Sequence, residues 1–158
     1  HYKDRVAALR AAVPDIAITT DLIAGFPGET DEQFENTLKL AREVRFDAAF
    51  MFAFNPIKNT AAEKLDGQLP NAIKLERLGR LIKLQNKITC EINDSQVGRD
   101  FEVLLEGVSP KDPNRLTGLT RQHKTMNFPG EVGMVGQLVQ VKAVEGHLYG
   151  FVGDSLGR

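Results

Sequence analysis

The chain has 158 residues, 42% of them hydrophobic and 26% charged, with a formal net charge of −1. That is enough chain for one domain with a full core or for two small ones, in the composition range of soluble globular proteins. No apolar run approaches the roughly 20 residues a membrane helix needs, near-neutral charge leaves any attraction for nucleic acid to local patches, and a lone cysteine, Cys90, closes no internal disulfide and by itself holds no iron–sulfur cluster or thiolate zinc site.

In chain order, Val6, Ala7, Leu9, Arg10 and Val13 form a helix face that Pro14 ends. His1, Lys3, Asp4 and Arg5 belong to the same amphipathic pattern, which is not that of a secretion signal. A start on His1 rather than Met leads us to expect a fragment or a processed chain. Residues 16–26 are apolar on both faces apart from Thr19, Thr20 and Asp21, the pattern of a parallel strand covered on both sides. Thr30 with Gln33 three residues on is a capping box, and Phe34, Leu38, Ala41 and Val44 continue a helix to about residue 44. Residues 46–54 then alternate, with Phe50, Phe52 and Phe54 on one face, until Asn55-Pro56. Helix–strand–helix–strand is the grammar of an α/β sheet or barrel.

From about residue 70 to 94 the pattern is one long helix with Leu75, Leu78, Ile82, Ile88 and Ile92 in a stripe. Arg77, Arg80, Lys83 and Lys87 form a second stripe, either a solvated face or a surface for RNA. After Val97-Gly98 the grammar changes to about five short strands punctuated by Pro129-Gly130, Gly133, Gly136 and Glu145-Gly146, which predicts a small antiparallel barrel. The expected division is therefore residues 1–68 as an incomplete α/β unit, 69–96 as a linker helix and 97–158 as the β-barrel. Two βα units close neither a barrel nor an ordinary parallel sheet, so the first piece reads as part of a larger domain.

The run "LIAGFPGET" places Gly25, Pro27 and Gly28 at the carboxyl end of a strand, where ligands sit in α/β folds. Two glycines without Cβ atoms let a ligand or a neighbouring strand approach the backbone, and Glu29 stands at the mouth as a hydrogen-bond acceptor. Asp21, a carboxylate within an apolar strand, needs a partner or a polar interior. A well-made turn with a paired aspartate and a ligand site both remain open on these residues. In the barrel, Arg115, Arg121, His123 and Lys124 lie close together in sequence with Phe128 nearby, and cations beside an aromatic suit phosphate contacts with base stacking. Phe128 is equally a core residue of its strand. Residues 97–158 carry as many Lys and Arg as Asp and Glu, so the barrel is not basic as a whole.

The stretch "DLIAGFPGETDEQFENTLKLAREVRFDAAFMFAFNP" resembles the fifth and sixth strand region of the radical S-adenosylmethionine methylthiotransferases. The family's Asp-x-Ile-x-Gly-Phe-Pro-Gly-Glu-Thr run is matched by Asp21, Ile23, Gly25, Phe26, Pro27, Gly28, Glu29 and Thr30. "VGRDFEVLLEGVSPKDPNRLTGLTRQHKTMNFPG" is similar to the segment that leads from a linker into a TRAM domain, a small RNA-binding β-barrel, in the branch acting on tRNA. The resemblance implies the last βα units of a radical-SAM barrel of TIM-like form, a linker helix and an OB-like TRAM barrel. It implies transfer of a methylthio group to C2 of an N6-modified adenosine beside the anticodon. The cofactors it implies are S-adenosylmethionine, near Asp21, Ile23, Gly25 and Glu29, and two [4Fe–4S] clusters. Its implied partner is a tRNA anticodon stem–loop, met by Arg115, Arg121, Lys124 and Phe128 in a cytoplasmic setting without a membrane.

The family's cluster cysteines are absent from the chain, so the chain alone is expected to be inactive, to hold no cofactor, to lack partner domains and to self-associate through residues 16–54. Cys90 resembles none of those ligands and reads as an inert thiol. Ile57 and Leu119 stand where the family usually has arginines. The alternatives are a stand-alone RNA-binding or assembly module, or a methylthiotransferase for a threonylcarbamoyl-type adenosine.

Overall fold

The computed structural model describes residues 1–156. They fall into two compact units, one of residues 1–11 and 18–89, the other of residues 12–17 and the chain from Cys90 on.

The first unit takes α1 (Tyr2–Ala12), β1 (Thr19–Ala24), α2 (Asp31–Val44), β2 (Ala48–Ala53) and most of α3 (Asn71–Asp94). Thr30 caps α2 as its sequence predicts: the Gln33 amide donates to the Thr30 hydroxyl at 3.2 Å and the Thr30 amide to Gln33 Oε1 at 2.9 Å. Arg45, in the left-handed region at φ 53°, closes its other end. The apolar positions of α2 recur on one face, so Phe34 and Leu38 reach the sheet together. They pack with Ala24 and Leu81, flanked by Leu22, Met51, Leu78 and Leu84. A second cluster joins Val6, Val44 and Phe46.

β1 and β2 pair in parallel, with Asp21 opposite Phe50 and Ile23 opposite Phe52. The period of two sends Leu22, Ala24 and Met51 to the covered face. Thr19, Asp21, Ile23, Phe50 and Phe52 go to the other face and are exposed. The expectation of a strand covered on both sides is thus corrected: among the described residues, α2 and α3 cover one face only. The helix expected as a linker is also more than a spacer. Its residues 71–89 belong to the α/β unit, where Leu81 is fully buried and Gln85 donates to the Phe46 carbonyl at 2.8 Å.

The second unit is a closed barrel of β3 (Asp100–Val108), β4 (Leu116–Thr120), β5 (Thr125–Phe128), β6 (Leu138–His147) and β7 (Gly150–Ser155), in the order β3-β4-β5-β7-β6. All neighbours are antiparallel except β5 and β7. Alternate residues fill the interior, among them Phe101, Val103, Leu105, Leu116, Met126, Phe128, Val141 and Phe151. Bulges between Leu105 and Gly107 and between Ala143 and Glu145 interrupt the ladders; such bulges bend strands and help so small a sheet close. Gly150, at φ 146°, is obligatory at the β5–β7 contact, because a Cβ there would lie 1.9 Å from the Thr125 carbonyl oxygen.

Candidate functional site

In the α/β unit the loop after β1 is built around Glu29. Gly25, at φ 77°, donates its amide to Glu29 Oε1 at 3.0 Å, which folds the turn back on the strand end. The guanidinium of Arg77 on α3 donates to the same oxygen at 2.6 Å, to the Glu29 carbonyl at 3.0 Å and to Asp31 Oδ1 at 2.7 Å. Arg77 is only 4% exposed. Burial opposes its charge, but the hydrogen bonds it donates to Asp31 and Glu29 outweigh that and hold its pKa above the ordinary arginine value.

The Gly25 amide is taken by Glu29, and its α-carbon is crowded as well. A Cβ at Gly25 would meet Lys74 Cγ at 2.6 Å, so the missing side chain serves the approach of α3. The Lys74 ammonium lies 5.2 Å from the centre of the Phe54 ring, which Phe26 meets edge-on at 5.1 Å. Gly28, at φ 79°, donates to the Gly67 carbonyl at 2.9 Å, tying the segment after β2 over the turn.

The four residues expected near a cofactor therefore divide. Asp21 and Ile23 share the open sheet face with Phe50, which is 68% exposed, and Phe52. Gly25 and Glu29 lie in the loop and are engaged by α3. The role of Lys74 and Arg77 in shaping this loop was not visible in the sequence, since their contacts lie nearly 50 residues away along the chain. The basic stripe on α3 is not one surface: Arg77 is buried on Glu29, Arg80 pairs with Glu35 and Glu76, and Lys83 and Lys87 are exposed.

In the barrel, Arg121 is exposed and ion-paired to Glu102 at 2.5 Å, and half-buried Arg115 lies 3.5 Å from Asp112. Two of the residues expected to meet RNA are corrected by the structure. Phe128 is 2% exposed, because the alternation of β5 sends Met126 and Phe128 into the core and Thr125 and Asn127 outward. Lys124 is 8% exposed; its ammonium donates to Asn93 Oδ1 at 2.8 Å and Gln96 Oε1 at 3.4 Å and lies 5.9 Å from the Phe151 ring centre. Phe128 belongs to the barrel core, and Lys124 ties the β4–β5 connection to Asn93 and Gln96 ahead of β3. His123 sits at φ 59° in the β4–β5 turn.

Among the described residues, no cluster of three or more His, Cys, Asp and Glu is placed to hold a metal ion, and Cys90 is a free, half-buried thiol. No described helix is long and apolar enough to cross a membrane.

Residues 94–149 match the TRAM domain family, and that span covers most of the barrel. Over 142 residues, 90% of the chain, the sequence is 51% identical to a tRNA-2-methylthio-N(6)-dimethylallyladenosine synthase of Moorella thermoacetica, of which it covers 32%. It is 47% identical over 145 residues to the synthase of the same name from Thermoanaerobacter sp. (92% of the chain, 31% of the relative). It is 44% identical over 154 residues to that of Bacillus thuringiensis (98% of the chain, 30% of the relative). The chain thus spans about a third of the length of the curated relatives it matches. With an α/β unit followed by a closed five-stranded barrel in the same order as the matching sequence, the chain carries a TRAM domain and is similar over nearly its whole length to the C-terminal region of the tRNA-2-methylthio-N(6)-dimethylallyladenosine synthases.

Proposed function

We propose that the chain works as the C-terminal part of a tRNA methylthiotransferase that modifies C2 of an N6-modified adenosine beside the anticodon by radical S-adenosylmethionine chemistry. The observation that carries this reading is the 51% identity over 142 residues to a tRNA-2-methylthio-N(6)-dimethylallyladenosine synthase. The open face of the β1–β2 sheet suits one wall of a cofactor pocket: Ile23, Phe50 and Phe52 offer apolar area to an adenine, and Asp21 offers a carboxylate to a hydroxyl or amine. S-adenosylmethionine bound there would supply the radical and the methyl group. The residues of this chain would shape and orient; Gly25 and Glu29 keep the loop at the strand end in one conformation.

The iron–sulfur clusters do not fit this chain, whose one cysteine falls short of the three or four thiolates such a cluster takes. In this reading the clusters belong to the part of the relatives that the chain does not span, and these residues alone do not run the reaction. The barrel meets the tRNA anticodon stem–loop, with Arg115 and Arg121 on phosphates, Phe128 supporting them from the core and Lys124 by bracing the β4–β5 connection. A tRNA substrate puts the work in the cytoplasm.

A chimera tests the reading. Substituting this chain for the matching third of the Moorella thermoacetica synthase should keep methylthio transfer to tRNA, measured by mass spectrometry of nucleosides. A folded chimera that loads its clusters and leaves tRNA unmodified would overturn it.

A further inference from the structure

The outward face of the barrel carries a cleft of about 640 Å³ that none of the residues discussed so far as RNA contacts lines. Its size falls in the range of small-ligand sites, roughly 300–1,000 Å³. Strand register builds the floor. Thr117 on β4 pairs with Asn127 on β5, and Asn127 with Val152 on β7, so three outward side chains form one row; Thr125 and Gly150 form the next. The floor therefore carries Thr117, Asn127 and Val152 in one row and Thr125 with a bare glycine in the next.

Two walls stand on it, both held firmly. On one side the Ser109 amide donates to the Arg115 carbonyl at 2.8 Å, fixing the segment that presents Lys111. On the other, Asn93 donates to the His147 carbonyl at 2.6 Å and the Thr125 amide to the Tyr149 carbonyl at 3.2 Å. Gly150 is pressed against the Thr125 backbone directly after it. Tyr149 is consequently a ring 78% exposed to solvent on a backbone pinned from both sides. A large exposed aromatic on a loose tip costs ordering entropy when it binds; on a fixed tip that cost is already met by folding.

We propose that this cleft is a pocket for one unpaired RNA nucleotide. The base stacks on Tyr149, its edge is met by Asn127 and the threonine hydroxyls, and a flanking phosphate is met by Lys111. The proposal rests on the reading that the chain binds RNA and names the place and the form of RNA bound. A mostly apolar pocket beside one exposed aromatic ring suits a splayed-out base, and a base within a duplex reaches it only after unpairing and unstacking. His147, which also lines the cleft, lies 3.4 Å from Glu145, so the local field is not strongly positive. Stacking rather than phosphate neutralisation dominates, and the salt dependence at this site corresponds to about one phosphate.

The test uses the whole chain and two RNA probes, a stem–loop with an unpaired loop and a fully paired duplex of the same length. Tyr149→Ala should weaken the stem–loop by about tenfold, within the range for loss of one stacked base, and leave the duplex unchanged. Tyr149→Phe should bind as the parent does, and Asn127→Ala should change the preference among loop bases. Both positions are on the outer surface, so the barrel should keep its circular dichroism spectrum. The chain has no tryptophan and two tyrosines, so in a Tyr2→Phe background tyrosine emission reports Tyr149 alone and should be quenched by the stem–loop. Stem–loop binding that is insensitive to Tyr149→Ala, or equal losses on both probes, overturns the pocket and leaves the wider reading standing. No binding of either probe by the parent chain overturns both.

Discussion

Arg77 joins the turn after β1, the start of α2 and the middle of α3 through one guanidinium. Removing it leaves the Glu29 carboxylate largely buried beside the Gly25 amide without its counter-charge. Arg77→Ala should therefore lower the unfolding free energy of the α/β unit by about 2–4 kcal/mol, measured in urea, with Arg77→Lys between the two because it keeps the charge and loses the fork. Since the pKa of Arg77 is raised in the folded state, its contribution holds at every pH below the ordinary arginine value and is lost only as pH rises through the raised value. The surface pair Lys3 and Glu43, 2.7 Å apart, behaves differently. The hydrogen bond from Lys3 holds the Glu43 carboxyl below its ordinary 4.5, and the same bond raises Lys3 above 10.5. Whatever Glu43 contributes is present above pH 4.5 and fades as pH falls through its lowered value. In an NMR titration of Lys3→Ala, the Glu43 midpoint should move up towards 4.5 with little change in stability.

The two glycines of the loop after β1 separate two physical effects. Both have positive φ, 77° at Gly25 and 79° at Gly28, but a Cβ meets Lys74 Cγ at 2.6 Å at the first and nothing within 4 Å at the second. Gly28→Ala should cost only the left-handed backbone strain, about 1–2 kcal/mol. Gly25→Ala should cost that plus the displacement of α3, about 2–4 kcal/mol together. Equal losses in thermal unfolding would remove the close approach of Lys74 as the reason for Gly25. On α2, Thr30→Ala breaks the capping box and should cost about 1 kcal/mol. That box was legible in the sequence because both partners lie within three residues of each other. The contact between Gly25 and Lys74 was not, because nothing in either local sequence names the other.

At the scale of the whole molecule, the open face of the β1–β2 sheet decides behaviour in solution. Ile23, Phe26, Phe50 and Phe52 are all exposed large apolar side chains, on or beside a sheet of two strands with free edges. Such a surface associates. Sedimentation velocity should show the chain's mean mass rising with concentration, and Phe50→Ser with Phe52→Ser should shift it towards monomer while α2 and α3 keep their helicity. A clean monomer at high concentration would mean that this face is not adhesive as it stands.

The sequence by itself determined the order and type of the elements: a capping box starts α2, a period of 3.6 runs through α3, and alternation with glycine turns marks the five strands of the barrel. These signals are local, because each depends on residues within one or two turns of one another. It also carried the family resemblance, through a run of motifs in one order. Only the tertiary structure decided which cations are available and which are buried. Lys124 and Arg77 read as surface charges along the chain, yet each is enclosed by partners from distant segments. The same holds for Phe128, whose side of the strand is set by the closure of the barrel. Tyr149 became a candidate platform only when β7 pairing fixed its backbone and the strands beside it supplied the floor of a cleft. Burial and convergence are properties of three-dimensional packing, and no spacing along a single chain encodes them.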